Sequence, residues 1–186
     1  MKNVLLLFVL AFFISCGNPC KKVTCENGGI CIDRNCVCKP GFDDIDCSFK
    51  IIPKLIRVTK IDVLKFPLKD SNGFVWDAGN TADIFPAIRS FSGGPFIWND
   101  PLIHLTNADN TTEYSFDIIP SLEFTDLIYV NTIEIDLYDN DGANNTLMGN
   151  STQDIYSSGA HEFPESLVTV NNSIGYQFRV HFEYEW

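Results

Sequence analysis

Basic residues and long apolar segments are both scarce in this 186-residue chain. It has 13 Lys and Arg residues against 24 Asp and Glu residues, which gives a formal net charge of −11. So acidic a chain will not bind nucleic acid by bulk electrostatic attraction, and anionic lipid repels it unless cations intervene. After the first fifteen residues no stretch approaches the roughly 20 apolar residues of a transmembrane helix, so the sequence predicts none downstream.

Histidine is rare as well, and the three histidines are far apart in the sequence. A zinc-protease helix motif, a nucleophile elbow and a phosphate-binding glycine loop are all missing. His181 lies in a run of alternating apolar and polar residues, which is typical of a position on the face of a sheet. We therefore predict a protein without enzymatic activity.

Cysteine is absent after residue 47, although the chain has seven cysteines in all. Six of them fall in one short segment: Cys20, Cys25, Cys31, Cys36, Cys38 and Cys47. So short a segment cannot bury enough apolar surface to fold alone, and the density indicates a disulfide framework with about 15 possible connectivities. Zinc is the alternative, but Cys36 and Cys38 are too close for the usual ligand gap, and a second pair at zinc-knuckle spacing is missing.

Residues 1–15, MKNVLLLFVLAFFIS, have the features of a secretory signal peptide. Lys2 supplies the positive charge, and residues 4–14 form an apolar core that is too short to span a bilayer as a helix. We expect this segment to direct export, which permits disulfides downstream.

The segment CKKVTCENGGICIDRNCVCKPGFDDIDC, residues 20–47, resembles an epidermal growth factor-like (EGF-like) module over its whole length. The NGG, the CVC pair and the PGF before the last cysteine carry the resemblance. It implies the bridges Cys20–Cys31, Cys25–Cys36 and Cys38–Cys47. It implies no calcium at the family's site, because GNP replaces the acidic run of the calcium-binding members. Gly28, Gly29 and Gly41 suit turn positions with positive φ.

Cys16 is left over from the six cysteines of the module and follows the apolar segment directly, in FISC. This resembles a bacterial lipobox, although Phe13 stands where leucine is usual. The resemblance implies that Cys16 is acylated and anchors the mature chain to a membrane. The alternative is an ordinary signal peptide that is cut near Ser15 or Gly17 and leaves a free thiol.

Residues 53–186 alternate short runs rich in Val, Ile, Phe and Tyr with loops rich in Asn, Asp, Gly and Ser. Apolar and polar residues alternate most clearly in TIEIDLY and YQFRVHFEYEW, as they do in half-buried strands. Seven or eight such strands predict an antiparallel β-sandwich, so the chain as a whole is expected to be mostly β. LIHLTN, residues 102–107, is among the predicted strands, whereas TQDIYSS, residues 152–158, is a candidate for one helical turn.

Two loops of this region are rich in aspartate. Residues 68–85 contain Asp70, Asp77 and Asp83, and residues 137–149 contain Asp139 and Asp141. RVTKIDVLKFPLKD with ADIF, followed far downstream by IEIDLYDNDGANNTLMG, resembles a C2-like domain over residues 53–186. The resemblance implies that calcium is held between loops at one edge of the sandwich, by Asp70 or Asp77 and then Asp83, Asp139 and Asp141.

Calcium affinity follows the charge of the ligands. The family has one further acidic residue where this chain has Asn145 and Thr146, so we expect a weakened site. The alternative to a metal site is that these aspartates hydrogen-bond the backbone of their own turns.

Phe74, Val75 and Trp76 lie in the first aspartate-rich loop. They could form an apolar tip that enters a bilayer or clasps a ligand. The interpretation that we favour is that Trp76 packs against the end of the sandwich.

Together these features predict an exported, extracytoplasmic protein, anchored through Cys16 to the cell envelope at the outer membrane or cell surface. Its C2-like domain is expected to bind calcium and a partner that is a lipid surface, a glycan or a protein. Two alternatives stay open: a calcium-independent structural or adhesive envelope protein, and a secreted EGF-containing protein without a lipid anchor.

Overall fold

The computed structural model describes residues 18–79, 81–125, 132–156, 163–171 and 175–186. The chain divides into two compact units between Ile52 and Pro53. The signal peptide predicted at residues 1–15 and the lipidation site predicted at Cys16 lie outside the described residues. In the part of the chain that the structure describes, no helix is long and apolar enough to cross a membrane.

The first unit contains two small antiparallel hairpins. In one of them β1 (Ile30–Ile32) pairs with β2 (Asn35–Val37), and in the other β3 (Phe42–Asp43) pairs with β4 (Phe49–Lys50). Strands of two or three residues bury very little apolar surface, so this unit needs covalent support.

Three disulfides supply that support. They join Cys20 to Cys31, Cys25 to Cys36 and Cys38 to Cys47. These are the pairs that the EGF-like resemblance implies. Cross-links stabilise so small a unit chiefly by restricting its unfolded chain, and their presence indicates an oxidising environment.

Two of the three glycines that we expected at positive φ adopt it, with φ of 73° at Gly28 and 91° at Gly41. Gly29 does not, so the reason given for it is wrong. A Cβ atom at Gly29 would lie 2.7 Å from the Sγ atom of Cys47. Glycine is needed there because the third disulfide passes close to the backbone, not because of the backbone conformation.

The second unit is an antiparallel β-sandwich of two four-stranded sheets. Its described strands are β5 (Leu55–Lys65), β6 (Ile84–Arg89), β7 (Phe96–Asn99), β8 (Tyr114–Phe124), β9 (Thr132–Asp139), β10 (Thr146–Asp154), β11 (Ser166–Asn171) and β12 (Tyr176–Glu185). One sheet has the order β10-β9-β6-β7 and the other the order β11-β12-β5-β8. The predicted fold class, a mostly β chain with a disulfide-rich module and an antiparallel sandwich, is confirmed.

The core lies between the inner faces of the two sheets. Successive side chains of a strand point to opposite faces, so alternate residues fill it. The buried apolar residues of two of these strands are Ile133, Ile135 and Leu137 in β9, and Tyr176, Phe178, Val180 and Phe182 in β12. The outward positions of β9 and β12 hold charged and polar side chains, and these become important below.

Strand β5 keeps its apolar residues inward although their spacing is uneven. Ile56 and Val58 are followed by Ile61 and Val63, and all four are completely buried. The register of its pairing with β8 shifts between Val58 and Lys60. Such a β-bulge adds one residue to the strand and restores the inward direction after it.

Two local predictions for the sandwich are wrong. LIHLTN does not form a strand, because Asp100 caps a turn of 3₁₀ helix at Pro101–Ile103, where its Oδ1 atom accepts the Leu102 N–H at 3.1 Å. TQDIYSS is not helical in its described part, because residues 152–154 belong to β10 and pair with β9. The sheet ladder overrides local preference there.

Candidate metal centre

Three segments that are far apart in the sequence meet at one end of the sandwich: the β5–β6 loop, the β7–β8 connection and the β9–β10 loop. The backbone N–H of Asn140 donates to the carbonyl of Asp83 at 2.7 Å, and its Nδ2 atom donates to the carbonyl of Pro101 at 3.2 Å. The N–H of Asn107 donates to Oδ1 of Asp83 at 2.8 Å. These bonds hold the three segments together and fix the positions of the aspartates in them.

Asp77, Asp139 and Asp141 come together at this end. Each offers one carboxylate oxygen, and the three oxygens all lie within 4.8 Å of one another. Oδ2 of Asp141 also accepts a hydrogen bond from Oγ1 of Thr146 at 3.1 Å. Gly142 has a φ of 75°, which lets the chain reverse directly after Asp141. We call Asp77, Asp139 and Asp141 the acidic cluster.

Asp139 is the buried member of the acidic cluster, with 1% of its surface exposed. Its Oδ1 atom accepts the N–H of Asp83 at 2.8 Å, whereas its Oδ2 atom is buried and has no hydrogen-bond partner among the described residues. Burial raises the pKa of Asp139 to about 6, and the charges of Asp77, Asp141 and Asp83 act in the same direction. An unpartnered buried carboxylate oxygen is costly, so this position favours a bound proton or cation.

Repulsion between carboxylates also affects Asp77 and involves Asp83. Burial raises the pKa of Asp77, and the charges of Asp83 and Asp141 raise it further. Asp83 is not one of the three clustered residues, but its charge acts on both Asp77 and Asp139. Three of the aspartates that the resemblance implied as calcium ligands therefore meet in the acidic cluster, and the backbone of Asp83 is bonded next to it. Carboxylate oxygens of this kind are the ligands that calcium prefers.

Asp70, predicted as the alternative to Asp77, has a different role. Its Oδ1 atom accepts the N–H groups of Asn72 at 2.9 Å and Phe74 at 2.8 Å, and its Oδ2 atom accepts Nδ2 of Asn72 at 3.2 Å. The bond from Phe74 contributes most to lowering the pKa of Asp70. Asp70 closes its own turn, as the alternative to a metal site predicts for aspartates in loops.

The apolar residues of the same loop divide into two kinds. Trp76 is half-buried, packs against the core, and donates from Nε1 to the carbonyl of Pro67 at 2.8 Å. This is the arrangement that we favoured for Trp76. Phe74 and Val75 are instead exposed, by 71% and 53%, and Leu102 on the 3₁₀ turn is 88% exposed. The β5–β6 loop and the β7–β8 connection, which contribute to this end of the sandwich, therefore each carry exposed apolar side chains.

A second buried aspartate, Asp62, was missed in the sequence. It lies on β5 and is 1% exposed. Nε2 of His181 lies 2.6 Å from its Oδ2 atom, Oγ of Ser115 donates to its Oδ1 atom at 2.7 Å, and Arg179 donates to Oδ2 at 3.1 Å. Burial alone would raise the pKa of Asp62, but these hydrogen bonds outweigh it and lower the pKa to about 2. His181 lies on the sheet face, where it was predicted.

Glu134 and Asp136, on the outward side of β9, were missed too. They are 4% and 1% exposed. Nε of Arg89 donates to Oδ2 of Asp136 at 2.7 Å, and Oγ of Ser92 donates to Oε2 of Glu134 at 2.7 Å. Strand alternation predicts exposure for outward positions, and the sequence gives no signal that Arg89 and the turn after β6 cover them.

Comparison with known proteins adds little to this geometry. No family model matches the sequence, and no curated protein matches it. Among solved structures, the chain is similar to the crystal structure of a C2 domain protein from Ramazzottius varieornatus. The two are 16% identical, the match covers 73% of this chain and 91% of the other, and the TM-score is 0.41. A similarity of this strength assigns no function, so function has to be argued from the site.

Proposed function

We propose that this protein is an exported, membrane-anchored interaction protein whose sandwich is a C2-like domain that binds calcium at the acidic cluster and catalyses no reaction. The observation that carries the proposal is Asp139. This carboxylate is buried, its Oδ2 atom is without a hydrogen-bond partner among the described residues, and two further carboxylates lie beside it. A divalent cation would supply the missing partner and neutralise the repulsion between the three groups.

The chemistry of the cluster favours calcium over magnesium. Magnesium demands near-ideal octahedral geometry and keeps most of its water, whereas calcium accepts about six to eight oxygens in flexible arrangements. Asp77, Asp139 and Asp141 would hold the ion, and Asp83 would add negative charge next to it. Because Asn145 and Thr146 bring no further charge, we expect a dissociation constant in the range of extracellular modules, about 10⁻⁴ to 10⁻³ M.

Thermal unfolding of the full mature chain in calcium and in chelator tests the proposal. At calcium concentrations about tenfold above the dissociation constant, binding to the native state alone stabilises it by about 1.4 kcal/mol. For a domain of this size that corresponds to a rise in Tm of roughly 5 °C. Magnesium at the same concentration should give a clearly smaller rise.

The matched variants are Asp139→Asn with Asp141→Asn on one side and Asp70→Asn on the other. The double variant removes two charges of the acidic cluster and should abolish the calcium response. Asp70→Asn changes an aspartate of the same loop that is engaged with its own turn, and should keep the response. No rise in Tm at several millimolar calcium in the parent protein would refute a calcium site and leave a calcium-independent adhesive protein.

The anchor and the partner complete the proposed function. Acylation of Cys16 would fix the chain to the envelope, and the disulfide-stapled module would connect the anchor to the sandwich. The exposed side chains of Phe74 and Leu102 support a partner, either an envelope surface or a protein or glycan on it, that contacts the end of the sandwich carrying the acidic cluster.

Two measurements test these parts separately. A fatty-acid probe should label the wild-type chain and not the Cys16→Ala variant, and label persisting in the variant would refute the anchor. Unanchored Cys16→Ser protein should bind washed envelopes in calcium, release in chelator, and lose binding with Phe74→Ser and Leu102→Ser. Equal binding of the parent and the double serine variant would refute a partner at this end.

A further inference from the structure

The β1–β2 hairpin of the first unit has an apolar face that nothing in the proposed calcium function uses. Ile30, Ile32 and Val37 are 65%, 55% and 53% exposed. The register pairs Ile30 with Val37 and Cys31 with Cys36. Paired residues project to the same side of a hairpin and successive residues to opposite sides. The three aliphatic side chains therefore share one side, the hairpin face, and the two cysteines take the other.

The hairpin face is held in one conformation before it meets any ligand. Asp33 and Arg34 join the strands in a two-residue turn with φ of 49° and 71°. Cys31 and Cys36 are bridged to Cys20 and Cys25. A turn with two positive φ values matches the twist of paired strands, and the bridges fix the strands from behind. A preformed surface of this kind loses little conformational entropy when it binds.

The charge of the first unit differs sharply from that of the second. Residues 18–52 contain five Lys and Arg and five Asp and Glu, for a net charge of zero. Residues 53–186 contain seven Lys and Arg against nineteen Asp and Glu, for a net charge of −12. An anionic bilayer surface therefore repels the sandwich, whereas it has no net repulsion for the EGF-like module.

The module also begins very close to the proposed anchor. Cys16 precedes Cys20 by four residues, and four residues of fully extended chain span at most about 14 Å. An acylated Cys16 would therefore hold Cys20, where the module begins, within about 14 Å of the bilayer.

We propose that the hairpin face rests on the bilayer to which Cys16 anchors the chain, with Ile30, Ile32 and Val37 buried in the membrane interface. The position of the face depends on the proposed acylation, but its affinity for lipid does not. Apolar side chains inserted at the headgroup boundary add to the hold of an acyl anchor. Two contacts, the anchor and the hairpin face, would fix the orientation of the module on the membrane, which a single flexible anchor cannot do.

The test uses acylated mature protein in vesicles of phosphatidylethanolamine and phosphatidylglycerol, with a tryptophan placed at Ile32→Trp. Brominated acyl chains should quench this tryptophan strongly after subtraction of the parent signal. The control is Ile45→Trp, a position that is 84% exposed in the same module and lies between Asp44 and Asp46. It should be quenched weakly. Equal quenching at the two positions would overturn the proposal.

A second arm separates this proposal from the anchor. Unacylated Cys16→Ser protein should partition weakly into the same vesicles, and Ile30→Ser with Ile32→Ser and Val37→Ser should lower the partition coefficient about tenfold or more. Ile45→Ser should leave it unchanged. If fatty-acid labelling fails but this difference appears, the anchor is wrong and the hairpin face stands. If labelling succeeds and the difference is absent, the hairpin face is wrong. Blue-shifted emission from the introduced tryptophan of the Ile32→Trp variant in the absence of vesicles would show that protein covers the face and would also overturn the proposal.

Discussion

Asp62 and Asp139 are both 1% exposed, yet their surroundings shift the pKa in opposite directions. The pKa of Asp62 falls to about 2 because hydrogen bonds from His181 and Ser115 outweigh its burial. The pKa of Asp139 rises to about 6, first because of burial and then because of the neighbouring carboxylates. Burial is the same at the two positions, so the neighbours decide the outcome: hydrogen-bond donors surround Asp62, whereas carboxylates surround Asp139. Side chains on the face of the sheet stabilise the buried charge of Asp62. The charge of Asp139, at the loop end of the sandwich, is left for a ligand to neutralise.

The largest effect is expected at Asp62. Nζ of Lys60 lies 3.5 Å from Oδ1 of Asp62, in addition to the contacts from Arg179 and His181. Asp62→Asn leaves all three side chains without their shared carboxylate, and loss of one partner of a buried pair costs several kcal/mol. Because the three partner side chains are partly exposed, we expect the free energy of unfolding to fall by about 3 kcal/mol, measured by urea denaturation. Glu123→Gln, which breaks the exposed ion pair with Arg57 at 2.8 Å, should lower the free energy of unfolding far less, because solvent screens the charges of an exposed pair. Equal losses in the two variants would mean that the Asp62 network contributes no more than a surface pair.

The opposite sign is expected at Asp139. In chelator at pH 7.5, Asp139→Asn removes a buried negative charge that has no cation beside it in the described structure. The asparagine oxygen can still accept the N–H of Asp83. We expect the free energy of unfolding to rise by about 2 kcal/mol. The rise of the pKa from 3.8 to about 6, at about 1.4 kcal/mol per pKa unit, sets an upper limit of about 3 kcal/mol. The buried amide NH₂ group of asparagine offsets part of that gain. If Asp139→Asn were less stable than the parent in chelator, the predicted difference in sign between Asp139 and Asp62 would be wrong.

The pH dependence of stability should separate the two aspartates without any mutation. Because the pKa of Asp139 is raised in the native state, its stabilising contribution is complete below about pH 4 and is lost as the pH rises through about 6. The pKa of Asp62 is lowered, so its contribution is complete above about pH 4 and is lost as the pH falls through about 2. In chelator the urea midpoint should therefore fall between pH 5 and pH 7.5, and this fall should be smaller in Asp139→Asn.

Calcium affinity should depend on pH in the opposite direction and become stronger as the pH rises. The ion binds deprotonated carboxylates, so protonation of Asp139 competes with it. Calcium affinity, measured by titration calorimetry, should weaken as the pH is lowered from 7.5 to 5.5. An affinity that does not change over this range would show that Asp139 is not a ligand.

The smallest effect is expected at Asp70. The asparagine oxygen can still accept the backbone N–H groups of Asn72 and Phe74, and only the exposed bond from Nδ2 of Asn72 is lost. Asp70→Asn should therefore change Tm only slightly. The shift of Tm by calcium should equal that of the parent protein. A reduced calcium response would place Asp70 among the ligands and would contradict its separation from the acidic cluster.

Much of the fold follows from the sequence because local patterns determine it. The dense cysteines mark the stapled unit, and the alternation in residues 132–139 and 176–185 marks β9 and β12. The short β7 and the polar β10 were not predicted. Neither has an apolar pattern of its own, and each is formed by pairing with a neighbouring strand. The burial of Glu134 and Asp136 on the outward side of β9 was not predicted for a related reason. The side chains that cover them come from β6 and the turn after it.

The sequence by itself determined that two loops are rich in aspartate, that six cysteines belong to one short module, and that the rest of the chain is built of strands. These features depend on residues that are near neighbours in the chain. Only the tertiary structure decided which aspartates meet. Asp70 and Asp77 are seven residues apart, yet Asp70 is occupied by its own turn while Asp77 joins Asp139 from a distant loop. The pairing of Ile84 with Asp139 in the β6–β9 register brings the two loops together, and a register between distant strands depends on the packing of the whole sandwich.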